Sequence, residues 1–248
     1  MIEVLGIPLY DSGMNGAVQN IIDICKDQHK ENRCISATGA HGLVFAKKNQ
    51  EFSEILKSFY MNLPDGRPGA IVGKIKGAKD MEQCTGPDFF KNIMVATSQT
   101  QVKHYFCGGK EGVAEELKLN CGKKFNNNNI VGTYSPPFRT MTEEELKALG
   151  DEINSKNTDI VWIGLSTPKQ EFFAHRLCKY VKVHFIITVG AAFDFHSNKI
   201  REAPAIIQFL CLEWFYRLVI DPRRLWKRYL EIVPKFIYYN LKELLIKF

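Results

Sequence analysis

DIVWIGLSTPKQE, residues 159–171, decides the fold class. Its first half, Asp159–Leu165, is a continuous apolar run, not an alternating one. Short apolar runs rich in β-branched residues fit strands buried on both faces, as in parallel sheets. Its second half turns into a helix start. Thr167 is a natural N-cap, Pro168 suits the first helical position, and Gln170 falls where a T-x-x-Q capping box needs it. Strand, tight turn and helix form the repeating step of an α/β fold.

The same step recurs on both sides of this stretch. Val183–Val189 is a second buried strand, ending in Gly190-Ala191-Ala192-Phe193-Asp194. Tyr105–Cys107 ends in Gly108-Gly109-Lys110. Arg33–Ala37 leads into Thr38-Gly39-Ala40-His41-Gly42, and Phe59–Asn62 runs into Pro64-Asp65-Gly66. IEVLGIPLY and Ile130–Val131 are further strand candidates. Helices are expected over residues 15–30, Leu43–Lys48, Glu51–Ser58, Pro87–Thr97 and Glu111–Leu119. A Thr142-to-Glu145 capping box opens another helix that ends near Asn154. The asparagines at 126–129 read as a polar loop. The expectation is an α/β domain over residues 1–195, Rossmann-like, with a mostly parallel sheet flanked by helices.

Ligands of such sheets bind beyond the carboxyl ends of the strands. Each turn there carries two readings. Pro64-Asp65-Gly66 is ordinary turn chemistry, and Asp65 is also a carboxylate placed at the ligand edge. Gly108-Gly109-Lys110 is either a tight βα turn or a phosphate cradle at a helix N-terminus. Around Gly164, the residues Lys169, Gln170 and Glu171 either cap a helix or form a diphosphate or sugar site. Gly190 permits close approach, and Asp194 either caps a helix or binds a sugar hydroxyl. His41 is structural or catalytic.

The bulk composition narrows the class. The 248 residues carry a net charge of +6, which suits an anionic partner. Seven cysteines, odd in number and without C-x-x-C, argue against a disulfide framework or structural zinc and fit a reducing compartment. No signal peptide or membrane-spanning stretch is expected. D-x-D, G-x-G-x-x-G, a Walker motif and G-x-S-x-G do not occur. The missing dinucleotide fingerprint argues against an oxidoreductase.

After about residue 195 the chain becomes helical, aromatic and basic. Asp221-Pro222 reads as a helix start and Pro234 as the opening of a further helix. Leu225, Trp226, Tyr229, Leu230 and Val233 fall on one side, with Arg223, Arg224, Lys227 and Arg228 on the other. Ile237, Leu241, Leu244, Leu245 and Phe248 make the next apolar stripe. Aromatic residues, Trp214 among them, alternate with arginine. This is the pattern of a membrane-binding appendage on an anionic surface, residues 196–248. Nucleic acid fits less well, since no base-reading module is visible.

Taken in order, TGAHG (38–42), NLPDGRP (62–68), TGPDFF (85–90), FCGGKEGVAE (106–115), IVGTYSPPF (130–138), the opening stretch, VGAAFDF (189–195) and LEWFYRL…DPRRLWKRYL (212–230) resemble the WecG/TagA/CpsF glycosyltransferases, glycosyltransferase family 26. The likeness runs from about residue 30 to 230. It implies transfer of a sugar of the N-acetylmannosamine type from a UDP-sugar to a polyprenyl-diphosphate-linked sugar, with inversion and without a metal or other cofactor. It implies that Asp65 is the general base and that the appendage holds the enzyme peripherally on the inner face of the cell membrane, from the cytoplasm. It brings Arg217, Arg223, Arg224 and Arg228 toward the lipid diphosphate. Thr38, His41 and the turn residues named above become substrate contacts. Two departures stand out. Ala37-Thr38-Gly39 replaces the common T-P-N, with His41 in a compensating place, and Gln83 replaces a common arginine. The missing charge would come from Lys110, Lys169 or a tail arginine. A non-enzymatic nucleotide-binding protein on a membrane remains the alternative, and a homo-oligomer remains open.

Overall fold

A computed structural model describes residues 1–197, 199, 207, 213–220 and 222–246. Six strands form one fully parallel sheet: β3 (Arg33–Thr38), β4 (Met61–Pro64), β5 (His104–Gly108), β6 (Ile130–Tyr134), β7 (Ile160–Gly164) and β8 (Phe185–Thr188). Their spatial order is β4-β3-β8-β7-β5-β6, so β8 and β7 occupy the centre. These central strands are buried along their whole length, which is why their sequences do not alternate.

The pleat sorts their side chains into two cores. Val161, Ile163 and Ile186 face one cluster, which also takes in Leu43, Phe52, Leu146 and Leu177. Those residues come from α2 (Ala40–Lys48), α3 (Gln50–Ser58), α7 (Glu143–Ser155) and α8 (Lys169–Leu177). Ile160, Trp162, Phe185 and Ile187 face the other, with Ile21, Phe90, Leu117 and Phe193. The helices on that side are α1 (Gly13–Ile24), α5 (Gly86–Ala96), α6 (Val113–Phe125) and α9 (Ala192–His196). Successive strand residues point to opposite faces, so one apolar run supplies both cores.

Four local expectations need correction. IEVLGIPLY is not one strand but a hairpin, β1 (Ile2–Val4) and β2 (Ile7–Leu9), separate from the main sheet. Leu5 and Gly6 both take positive φ (52° and 84°) in its two-residue turn, the geometry that joins twisted strands. A helix unread in the sequence, α4 (Arg67–Ile75), follows Gly66. Helix α8 starts at Lys169, and Pro168 sits at its N-cap without a side-chain cap. Gln170 therefore does not close a capping box. Pro234 does not open a helix either. It lies inside one continuous helix, Pro222–Ile246, here α11, which follows α10 (Glu213–Ile220).

The Thr142–Glu145 capping box is present, with Glu145 Oε2 accepting from Thr142 N–H and Thr142 Oγ1 accepting from Glu145 N–H. The asparagine run is more than a polar loop. Asn127 is buried and donates to Met94 O and Thr97 Oγ1.

Helix α11 docks by a stripe other than the one its sequence suggests. Leu225, Ile232 and Phe236 are buried, and Ile232 and Phe236 join the first core cluster. Trp226, Leu230, Val233, Ile237, Leu241 and Leu245 face outward. Lys48 and Glu231 pair at 3.2 Å beside the α2 contact, and Lys76 pairs with Glu243 at 2.9 Å toward the far end. Asp221, the expected N-cap, Cys211, Phe248 and the side chains of Trp214, Arg217 and Arg224 lie outside the described residues. No described helix is long and apolar enough to cross a membrane.

Candidate active site

Asp65 directly follows β4 at the carboxyl edge. Its backbone N–H donates to Thr38 O at 3.2 Å, which ties it to the end of β3. Its Oδ1 accepts from Gly86 N–H, also at 3.2 Å. Gly86 opens α5, so the carboxylate meets the positive end of an eleven-residue helix. Gly66 follows with φ 105°, a conformation that favours glycine. The turn chemistry of Pro-Asp-Gly is thus the means by which a half-exposed carboxylate is presented.

Three glycines let the surrounding loops close on Asp65. A Cβ on Gly39 would stand 2.8 Å from Asp65 O. One on Gly86 would stand 2.6 Å from Val189 O, so α5 abuts the turn after β8. One on Gly42 would stand 3.2 Å from Thr38 Cγ2 and 3.6 Å from Thr167 Cγ2. The ends of β4, β3, β8 and β7 therefore converge on one patch. It contains Asp65, Thr38, His41, Gly190 and the start of α8.

His41 lies in the first turn of α2. Burial, reinforced by the nearby Arg228 guanidinium, lowers its pKa, with Glu231 opposing. The imidazole is neutral at pH 7. This places Arg228 of α11 beside a site residue from the sheet edge. Arg223 is exposed on the same helix, and Lys169 is exposed at the start of α8. Gln170 and Glu171 are buried, at 2% and 1% exposure, and face inward from α8.

The glycines farther along the edge have packing reasons. A Cβ on Gly108 would lie 2.5 Å from Gly164 O, and one on Gly164 would lie 2.3 Å from the Phe193 ring. Gly109 N–H donates to Gly164 O, so that group is already used. Lys110 is exposed beyond them, and Ser135 Oγ donates to Lys110 O at 3.4 Å across to the loop after β6. At the usual strand spacing of about 4.8 Å, β5 stands roughly 19 Å from β4. An extended nucleoside-diphosphate sugar covers a comparable distance. Asp194 sits on α9, and its O accepts from Lys199 N–H at 2.9 Å. Among the described residues, no three His, Cys, Asp or Glu side chains cluster as metal ligands. A cavity of about 250 Å³ lined by Ile22, Cys25, Thr97 and Asp159 lies at the amino ends of the strands, and contains none of these residues.

The sequence missed Ser36 and Asn62, polar residues buried inside β3 and β4. Thr38 Oγ1 donates to Ser36 Oγ at 3.0 Å and approaches Asn62 Oδ1 at 3.5 Å. Polar residues in otherwise apolar strands were the signal that would have found them.

A fully parallel sheet with an acid, a histidine and cations gathered at its carboxyl edge defines an α/β enzyme of the Rossmann-like class. The chain belongs to the glycosyl transferase WecG/TagA/CpsF family, whose sequence profile matches residues 2–247. It is similar to an N-acetylglucosaminyldiphosphoundecaprenol N-acetyl-beta-D-mannosaminyltransferase of Bacillus spizizenii, with 28% identity over 94% of this chain and 87% of the relative. A Bacillus subtilis protein of the same description is 27% identical over 96% of this chain and 90% of its own length. The protein is a glycosyltransferase, and the non-enzymatic alternative falls away.

Proposed function

We propose that this enzyme transfers an N-acetylmannosamine-type sugar from a UDP-sugar to a polyprenyl-diphosphate-linked sugar, with inversion at the anomeric carbon. The activity for which both Bacillus relatives are named supports the donor sugar and acceptor class. The observation that carries the mechanism is the Asp65 carboxylate, half-exposed at the strand edge and steadied by the Gly86 N–H.

In this mechanism the acceptor hydroxyl attacks the anomeric carbon as the bond to UDP breaks. Asp65 takes the hydroxyl proton, a contribution of about 10²–10⁴-fold for a general base. Negative charge grows on the departing diphosphate. Lys169, the N-terminus of α8 and Arg228 stabilise it, with Lys110 nearer the nucleoside end. Arg217, Arg223 and Arg224 serve the acceptor's lipid diphosphate. Neutral His41 holds a substrate hydroxyl or phosphate oxygen beside Arg228. The chain lacks D-x-D, so these cations take the place of a metal in our reading.

The outward stripe of α11, Trp226, Leu230, Val233, Ile237, Leu241 and Leu245, lies against the inner face of the membrane, with Arg223 and Lys227 facing its anionic headgroups. UDP release from a panel of UDP-sugars with a short-chain lipid-diphosphate acceptor tests the reaction. We expect release with UDP-N-acetylmannosamine that depends on the acceptor, and α-to-β inversion by NMR of the product. Retention of configuration would reject a single displacement.

A further inference from the structure

The chemistry above leaves one buried carboxyl group unused. Glu171 is buried, at 1% exposure. Its Oε1 accepts three hydrogen bonds: from Ser36 Oγ at 3.2 Å, Thr167 Oγ1 at 2.9 Å and Gln170 Nε2 at 2.9 Å. Gln170 Nε2 also reaches Thr167 Oγ1 at 3.3 Å. With its Nε2 side fixed in this way, Gln170 presents Oε1 to Gly190 N–H, at 3.0 Å. One carboxyl oxygen thus ties together β3, the loop after β7, and, through Gln170, the turn after β8.

The other oxygen, Oε2, is buried without a partner. No lysine, arginine or histidine is among the group's hydrogen-bond partners. An ionised carboxylate with neither a cation nor a partner for one oxygen is costly to bury. A neutral acid leaves one buried O–H without an acceptor, a smaller cost than an uncompensated charge, and adds no negative charge beneath a diphosphate. Burial also raises the Glu171 pKa, against the hydrogen bonds that lower it.

We propose that Glu171 is a positioning residue, held as a neutral carboxylic acid, that sets the Thr167 hydroxyl and the Gln170 amide beneath the donor's diphosphate. This rests on the donor placement proposed above. Glutamine at 171 presents the same acceptor, with an N–H in place of the O–H. Alanine removes the tie.

The test compares wild type, Glu171→Gln and Glu171→Ala by steady-state kinetics and infrared spectroscopy at pH 7. Glu171→Gln keeps kcat/KM for the UDP-sugar within about threefold. Glu171→Ala lowers it about 10–100-fold, mainly through donor KM, as expected when a binding group is misplaced by about an ångström. Wild type shows a carboxylic-acid carbonyl band that Glu171→Gln lacks. The proposal is overturned if Glu171→Gln is as impaired as Glu171→Ala, or if no acid band is assigned to residue 171. Should Glu171→Ala not fold, the glutamine variant and the band decide. Absence of transfer by wild type would count against the donor reading, while the band still judges Glu171.

Discussion

At the scale of single residues, the site depends on how closely the backbone approaches Asp65. A methyl group on Gly39 would meet Asp65 O at 2.8 Å, inside any normal contact. Gly39→Ala therefore shifts the Pro-Asp-Gly turn. We expect kcat to fall about 10²-fold with little change in thermal midpoint, since the loop lies at the surface edge. An unchanged kcat would mean that the turn absorbs the methyl group and that its placement is uncritical. Asp65 itself was legible from its turn motif and its place after a strand. Its hydrogen bond to Gly86 was not, because residues 65 and 86 meet only after α4 has formed between them. Glu171 was legible as a candidate but not as a buried one, since burial depends on Ser36 from a distant strand.

At the scale of elements, the strands were easy to read because both faces of each are apolar. Helix α4 was not, because it contains Gly69 and Gly73, which weaken helix propensity. Tertiary packing explains Gly73: a Cβ there would overlap Met81 Sδ at 2.0 Å. Helix α11 was misread at Pro234, a residue that usually ends a helix. Ile232 and Phe236 on either side of it dock into the same core, so packing carries the helix through. Two variants of α11 should separate its faces. Phe236→Ala opens a cavity in the docked face and costs about 3–5 kcal/mol in urea denaturation. The pair Leu230→Glu and Ile237→Glu alters only the exposed face, so we expect an unchanged thermal midpoint and loss of sedimentation with anionic liposomes. Undiminished sedimentation would move the membrane contact elsewhere.

At the scale of the whole molecule, stability should depend on a histidine outside the site. His104 is fully buried at the start of β5, where Trp162 Nε1 donates to its Nδ1 at 3.1 Å. Burial pushes its pKa down to about 3. The unfolded chain, with a histidine pKa near 6.5, therefore binds more protons than the folded one across this range. Stability is fully present above about pH 6.5 and declines as pH falls toward 3, by roughly 1.4 kcal/mol per unit. Urea midpoints between pH 7 and pH 4 should fall more steeply for wild type than for His104→Gln, and equal slopes would remove His104 as the cause. In our proposal the active edge spans the sheet, with the base at β4 and the nucleoside end toward β5. Its most direct test is acceptor-dependent UDP release by wild type and Asp65→Asn, alongside UDP-sugar affinity measured by calorimetry. Our account predicts affinity unchanged within about threefold and turnover lowered by at least about 10²-fold. Near-normal turnover of the folded variant would contradict it.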